Sequence, residues 1–386
     1  MIERHVRSVR TESNCRTKET MNAPHAVCTI VAKNYAAQAR TLCQSVKSHH
    51  PSMACYALII DDWAGYLDPA KEPFEIVSFD ELGLPDLRTM QFKYNVVEYA
   101  TALKPVLIEY LLQHAGVERL LYLDPDILVT NSLDGLFQRL DDFDCVITPH
   151  LDADYAPDGL LPNDSTILLH GIYNLGFLGI RREAASRPFL SWWRNKLSSS
   201  CVREPDRGHY VDQRCIDLAV SLFEGFFIER GAGYNVAYWN LHSRYLDFDG
   251  QSWTCNGGPL GFFHFSGFNP EQPDTISPFT TRHTLAARPD LVPLFSDYGK
   301  RLVANGYYET RDWPYSFAKF DNGIPISAAD RQRYRTAIAK GMQTADPFNF
   351  LEFQRVARKV KLDKRKRSRV LTKLLARVPW PRLRSA

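Results

Sequence analysis

The sequence predicts an α/β fold, a mainly parallel central sheet flanked by helices, with a helical extension toward the C-terminus. Two observations predict its class. Short apolar, β-rich runs alternate with amphipathic helical stretches from residue 26 to residue 148, the order that builds a parallel sheet. Two of the runs end in acid pairs, Asp61-Asp62 and Asp124-Pro125-Asp126, at the strand ends where open α/β sheets bind ligands. A third observation sets its scale: 386 residues, 45% hydrophobic and 24% charged, suffice for one large soluble domain with a sizeable core.

Residues 1–24, rich in Arg, Glu, Thr, Ser and Asn, read as a disordered tail. Residues 26–32 are the first strand, followed by the loop Lys33-Asn34-Tyr35 and an amphipathic helix over 36–49. Residues 56–60 and 74–78 supply a second and a third strand. In a parallel sheet the exit loop of the first strand lies on the same edge as Asp124. Between residues 93 and 114, Val96, Tyr99, Ala100, Leu103, Leu107, Tyr110 and Leu111 recur at helical spacing. Pro105 must then sit in a first turn or kink the helix. Lys104 either reaches a phosphate or sugar or is a solvated helix lysine.

Residues 119–130 read Arg-Leu-Leu-Tyr-Leu-Asp-Pro-Asp-Ile-Leu-Val-Thr. Leu120 to Leu123 form a buried strand, and Pro125 stops its ladder between two carboxylates. A carboxylate pair at that edge suits a hard divalent cation and its polyphosphate ligand. The Asp-x-Asp triplet recurs at 142/144, 152/154 and 247/249, and aspartates after a strand also serve as plain turn formers. The strand in front sets 124/126 apart.

A helix over 133–140, a strand over 145–148 and an acidic loop over 149–164 follow, the loop having the length of a functional segment. In residues 173–180, Asn174 and two glycines interrupt a strand-like run, marking close approach to a ligand or a bulge. Asp212 and Gln213 open a helical run ending near Phe223, which Asp212 is placed to cap. Residues 261–267 form an aromatic strand through His264, then Ser266-Gly267, whose backbone N–H groups suit an anion nest. A lone histidine on such a strand is commonly core. Beside an Asp-x-Asp pair, the two carboxylates and one imidazole suit Mn²⁺ or a similar ion.

Taken in order, Asn34-Tyr35, Leu-Tyr-Leu-Asp-Pro-Asp (121–126), Asn174-x-Gly176, Asp212-Gln213, Asn-Val-Ala-Tyr-Trp-Asn (235–240) and His-Phe-Ser-Gly (264–267) resemble the nucleotide-sugar-dependent glycosyltransferases of the GT-A fold. The chain is most similar to the retaining family 8 type and its bacterial lipopolysaccharide and polysaccharide relatives. The resemblance implies a divalent cation (Mn²⁺ or Mg²⁺) held by Asp124, Asp126 and His264. It implies contacts to the donor nucleotide sugar, UDP-linked by preference, from Asn34, Tyr35, Lys104, Ser266 and Gly267, and a reacting face made by Asn174, Asp212 and Gln213. The acceptor would be a glycan or lipid-linked molecule. Two departures stand out: Ala32 and Lys33 occupy positions where the family often carries acids, and Pro270 stands where it often has a phosphate-binding lysine. Arg282 is a candidate to supply that missing charge. The implied organisation is a tail over 1–24, the transferase domain over 25–290, a helical extension over 291–350 and a basic amphipathic tail over 351–386.

The net charge of +3 conceals an asymmetry: residues 355–386 carry thirteen cations against the single acid Asp363. In that tail Val370, Leu371, Leu374, Leu375 and Val378 share one helical face flanked by Lys and Arg, which suits an anionic membrane surface. A solvated basic tail is the plain alternative, and nucleic acid is not the expected partner. No apolar run is long enough to span a bilayer, and the N-terminus lacks the apolar stretch of a secretory signal. The expected place is therefore the cytoplasm, peripherally on the inner face of the cell membrane. The eight cysteines show no Cys-x-x-Cys spacing, so neither zinc nor disulfides are expected. Two rival functions are a haloacid-dehalogenase-type phosphatase using Asp124 and Asp126, and a non-catalytic glycan-binding relative.

Overall fold

A computed structural model describes residues 24–183, 186–342 and 344–360. Its strands are β1 (His25–Val31), β2 (Ala54–Ile59), β3 (Glu75–Ser78), β4 (Arg119–Leu123), β5 (Ile127–Val129), β6 (Cys145–Pro149), β7 (Tyr173–Arg181), β8 (Phe226–Ile228) and β9 (Phe262–His264), besides short hairpin strands. Seven of them make one sheet in the order β8-β6-β7-β4-β1-β2-β3. Every neighbouring pair is parallel except those made by β7, which runs antiparallel to both β4 and β6. The result is a mixed α/β architecture with a mostly parallel sheet.

The central strands are buried on both faces, which explains their unbroken apolar runs. Along β4 the side chains alternate: Leu120 and Tyr122 join one core cluster, Leu121 and Leu123 the other. The helices are α1 (Ala36–His49), α2 (Leu87–Lys93), α3 (Val96–Ala102), α4 (Lys104–His114), α5 (Asp134–Asp142), α6 (Asp164–His170), α7 (Ser186–Ser200), α8 (Ile216–Leu222), α9 (Val292–Ala304), α10 (Tyr307–Thr310) and α11 (Ala328–Ile338). The helical periodicity over 93–114 resolves into α3 and α4 rather than one helix. Pro105 falls in the first turn of α4, where its missing N–H has no intrahelical partner to lose.

The segment after residue 310 packs into the main core. Phe92 of α2 meets Tyr334, Phe348, Phe353 and Phe320 at ring-centroid distances of 4.9, 5.1, 5.5 and 5.6 Å. Arg331 of α11, only 6% exposed, donates to the backbone carbonyls of Gln91, Phe92, Tyr94 and Phe317. Residues 350–360 are helical. The apolar stripe from Val370 to Val378, and with it most of the basic tail, lies outside the described residues. Among the described residues no helix is long and apolar enough to cross a membrane.

Two local devices position the site. The chain leaves β4 at Leu123, turns through Asp124-Pro125-Asp126 with Ile127 N–H donating to Asp124 O at 3.1 Å, and enters β5. There β9 pairs with β5 antiparallel, setting His264 opposite Ile127. Phe265 N–H then donates to Asp126 O at 2.8 Å. A strand 140 residues away in sequence is thus pinned against the acidic turn, with its last side chain facing both carboxylates.

Candidate metal centre

Asp124, Asp126 and His264 each present one ligand atom within 4.8 Å of the others. His264 Nε2 lies 3.1 Å from Asp126 Oδ1 and 4.0 Å from Asp124 Oδ2. Ligands about 2.1 Å from a cation in octahedral geometry stand roughly 3 Å apart when adjacent and about 4.2 Å apart when opposite. Both spacings fall inside that range. Two carboxylates and an imidazole form a mixed O/N set that Mn²⁺ accepts, so the residues present fit the ion.

The charges are arranged around Lys104. Its ammonium is 2.8 Å from Asp212 Oδ2 and 3.3 Å from Asp124 Oδ1, donates to Leu175 O at 2.8 Å, and lies 4.4 Å from the centre of the Tyr122 ring. The residue is 3% exposed, so the solvated-lysine alternative is wrong; the first turn of α4 points it inward. Burial works to discharge Lys104, and the carboxylates of Asp124 and Asp212 outweigh it, holding the ammonium above its ordinary pKa. Asp212, 2% exposed, shows the opposite balance: burial raises its pKa despite the pairing with Lys104. Burial likewise opposes the charge of His264 and of Asp126, but their mutual attraction wins, raising the imidazole and lowering the carboxyl. Tyr122 O–H donates to Asp124 Oδ1 at 2.7 Å, and Asp124 N–H donates to Gly176 O at 2.8 Å.

Asp212 does not cap the helix that follows. α8 begins at Ile216, and the residue before it, Cys215, makes no side-chain cap. Gln213 and Asn174 are each 7% exposed and face one another: Asn174 Nδ2 donates to Gln213 Oε1 at 3.3 Å, and Gln213 Nε2 to His170 O at 2.9 Å. The run over 173–180 is a continuous strand. Its register against β6 shifts between Ile147 and Thr148, so the irregularity is of the bulge kind, and it leaves Asn174 at the site.

Asn34 and Tyr35 lie in a single helical turn between β1 and α1. Tyr35 is half-exposed as a whole, yet burial of its phenol, followed by the charge of Asp126, raises its pKa; β1 and β4 are parallel neighbours, so this turn and the acidic turn share one sheet edge. Lys33 stays on this edge but is turned toward the end of β2, the parallel neighbour of β1. It pairs with Asp61 at 3.3 Å and donates to Asp62 O and Ser316 Oγ at 2.8 and 2.9 Å. Ser266 and Gly267 form the centre of a turn closed by Phe268 N–H to Phe265 O at 2.9 Å. Gly267 has φ +80°, and a Cβ there would come within 2.9 Å of Phe279 and Pro278. Arg282 does not supply a free cation: it forks onto Asp158 at 2.7 and 3.0 Å, accompanied by bonds to the carbonyls of Leu160 and Pro162. Its charge holds the acidic loop over 149–164 in place.

One residue at the site had no signal in its type alone. Asn235 is fully buried, adopts φ +52° and lies 3.2 Å from His264 Nδ1 through its Oδ1. Its membership of the 235–240 motif was legible; its position behind the histidine was not.

No protein-family profile matches the chain. It is 25% identical over 253 residues to the uncharacterized protein YfnF of Bacillus subtilis (strain 168), an overlap of 63% of this chain and 81% of that one. Among solved structures it is similar to the galactosyltransferase LgtC in complex with donor and acceptor sugar analogs, at 17% identity over 71% of this chain and 95% of that one, with a TM-score of 0.44. It is also similar to the glycosyltransferase GlyE of Streptococcus pneumoniae TIGR4, at 14% identity over 76% and 66% with a TM-score of 0.42. Mouse xyloside xylosyltransferase 1 matches at 15% identity over 62% and 97%, with a TM-score of 0.37.

Proposed function

We propose that this chain is a metal-dependent glycosyltransferase of the GT-A, family 8-like type, moving a hexose from a nucleoside-diphosphate sugar to a glycan or lipid-linked acceptor with retention. The observation that carries the reading is the Asp124, Asp126 and His264 cluster at the carboxyl edge of a mostly parallel sheet. The loop bearing Asn34 and Tyr35 lies alongside it.

Breaking a sugar–diphosphate bond builds negative charge on the departing phosphate and an oxocarbenium-like centre on the sugar. A cation, Mn²⁺ or Mg²⁺, bound by Asp124, Asp126 and His264 would supply Lewis-acid stabilisation of that leaving charge. Ser266 and Gly267 would add backbone N–H groups toward the phosphates, and Asn34 and Tyr35 would meet the nucleoside. Lys104 is kept cationic by its two carboxylates and orients Asp212. Asp212 and Gln213 would form the face toward the reacting sugar, where a buried carboxylate favours developing positive charge. Asn174 holds Gln213 and the Leu175–Gly176 backbone in place. A UDP-linked donor, a role in cell-surface polysaccharide or lipopolysaccharide synthesis, and peripheral docking on the inner membrane face through residues 355–386 complete the proposal.

The test is thermal stability against UDP, GDP, CDP and ADP, each with and without Mn²⁺, for the native chain and for Asp126→Ala. Ligand at a hundred times its Kd stabilises by about 2.7 kcal/mol. A midpoint rise for one nucleotide that needs both Mn²⁺ and Asp126 is expected. No rise with any of them would overturn the donor site, and phosphate-ester hydrolysis without a sugar nucleotide would favour the phosphatase reading instead.

A further inference from the structure

We propose that Asn235 is a positioning residue that holds the Nδ1–H of His264 and so leaves Nε2 as the ring atom that joins Asp124 and Asp126 around a cation. The inference deepens the metal-site reading and rests on it. Two backbone N–H groups set the polarity of the network, because a peptide N–H can only donate.

Leu175 N–H donates to Gln213 Oε1 at 3.2 Å, and Gly176 N–H donates to Asn174 Oδ1 at 3.0 Å. Each bond settles which end of an amide side chain is oxygen, an assignment otherwise left to the network. A backbone carbonyl checks the first assignment independently, since Gln213 Nε2 donates to His170 O at 2.9 Å. With Asn174 Oδ1 fixed as an acceptor, the Asn235 atom 2.9 Å from it must be Nδ2. The same Nδ2 donates to Thr148 Oγ1 at 2.7 Å. Asn235 Oδ1 is therefore the atom facing His264 Nδ1 at 3.2 Å. An oxygen acceptor there takes a hydrogen bond from Nδ1–H. Nε2, the atom 3.1 Å from Asp126 Oδ1, is then the ring nitrogen left to exchange its proton for a cation.

The polarity of the relay thus runs from the β7 backbone through Asn174 and Asn235 to the imidazole, with every link buried: Asn235 is 0% exposed, His264 4% and Asn174 7%. The backbone supports it. Asn240 Nδ2 donates to Asn235 O at 3.0 Å, and His264 N–H donates to Val236 O at 2.8 Å. The left-handed φ of +52° at residue 235 favours asparagine or glycine over branched side chains, so Asn235→Gly removes the side chain without forcing the backbone. The carbonyls of Leu175 and Gly176 in turn accept from Lys104 Nζ and from Asp124 N–H. One stretch of β7 backbone therefore registers the histidine, the acidic turn and the lysine together.

The experiment has two arms on the full chain. Mn²⁺ titration by calorimetry compares the native protein with Asn235→Gly and Asn235→Asp. The glycine variant is expected to bind Mn²⁺ tenfold to a hundredfold more weakly, and the aspartate variant, which keeps an acceptor toward Nδ1, to bind more tightly than the glycine variant. Equal affinity of Asn235→Gly and the native protein, with unfolding midpoints preserved, would overturn the proposal. The second arm uses ¹⁵N-histidine NMR in saturating Mg²⁺, a diamagnetic cation. Native His264 is expected to show a slowly exchanging Nδ1–H, and Asn235→Gly to lose that signal to solvent exchange. An unprotected Nδ1–H in the native protein would overturn the proposal whether or not the cation binds. Absence of Mn²⁺ and Mg²⁺ binding together with a protected Nδ1–H would instead count against the metal reading alone.

Discussion

Gly176 is the residue at which one added carbon atom tests the metal site most directly. A Cβ built there would lie 2.3 Å from His264 Cε1, 2.7 Å from Nδ1 and 2.8 Å from Asn174 Oδ1. Non-bonded carbons settle near 3.5 to 4.0 Å, so either the imidazole retreats by about 1.2 Å or more, or the glycine backbone does. The backbone is tied on both sides, its N–H to Asn174 and its carbonyl to Asp124 N–H, so the imidazole is the part that yields. A shift of that size takes Nε2 off its 3.1 Å approach to Asp126. Gly176→Ala should therefore weaken Mn²⁺ binding by at least tenfold, about 1.4 kcal/mol, on top of an overpacking cost of about 1 to 3 kcal/mol in stability. Gly179→Ala on the same strand is the control. Its Cβ would meet Leu121 and Val146 at 3.2 Å, so it should cost stability and leave the metal alone. The assay is calorimetric Mn²⁺ titration beside urea denaturation. A folded Gly176→Ala protein that binds Mn²⁺ within twofold of the native one would refute the reasoning.

Three further outcomes are expected. Lys104→Met leaves the Asp212 carboxylate buried without its cation, and should cost about 3 to 5 kcal/mol in urea denaturation at pH 8; a loss below about 1 kcal/mol would show that Asp212 is not held as an ion. Arg331→Met strips four backbone carbonyls of their donor and should destabilise by about 3 kcal/mol or more, whereas a neutral result would mean that the aromatic contacts around Phe92 suffice. His150 is buried, and burial pushes its pKa down to about 4. Its folded-state value lies below the ordinary 6.5, so its neutral form contributes stability that is complete above pH 6.5 and lost as pH falls toward 4. At roughly 1.4 kcal/mol per pH unit, the native protein should lose about 2 to 3 kcal/mol more than His150→Gln between pH 7 and pH 4.5. Parallel pH profiles of the two proteins would contradict this.

The parts of this molecule that sequence discloses are those governed by local rules. Leu120 to Leu123 read as a buried strand because both faces of β4 are covered, and Asp124-Pro125-Asp126 read as a ligand edge because a proline ends the ladder there. His264 joined the pair through chemistry, a nitrogen donor at the end of a strand. What sequence did not disclose are choices made by tertiary contact. The antiparallel direction of β7 depends on its two neighbours, β4 and β6. Lys104 looks like any helix lysine until α4 packs it between two carboxylates. Arg282 looked available and is forked onto Asp158. Lys33 looked like a lost nucleotide contact, but its ammonium is engaged with Asp61, Asp62 and Ser316.

That last engagement bears on how the chain comes off the ribosome. Lys33 and Ser316 are 283 positions apart, so at about 5 to 20 residues per second the loop after the first strand waits roughly 15 to 60 s for its hydroxyl partner. Phe92 waits a similar span for the rings of Phe320, Tyr334, Phe348 and Phe353 that cover it. Throughout that interval α2 leaves the ring of Phe92 without the aromatic cover it has in the finished fold. Messages that end early, near residue 290, would release chains unable to supply it, and those chains would be clients for chaperones and proteases rather than smaller enzymes.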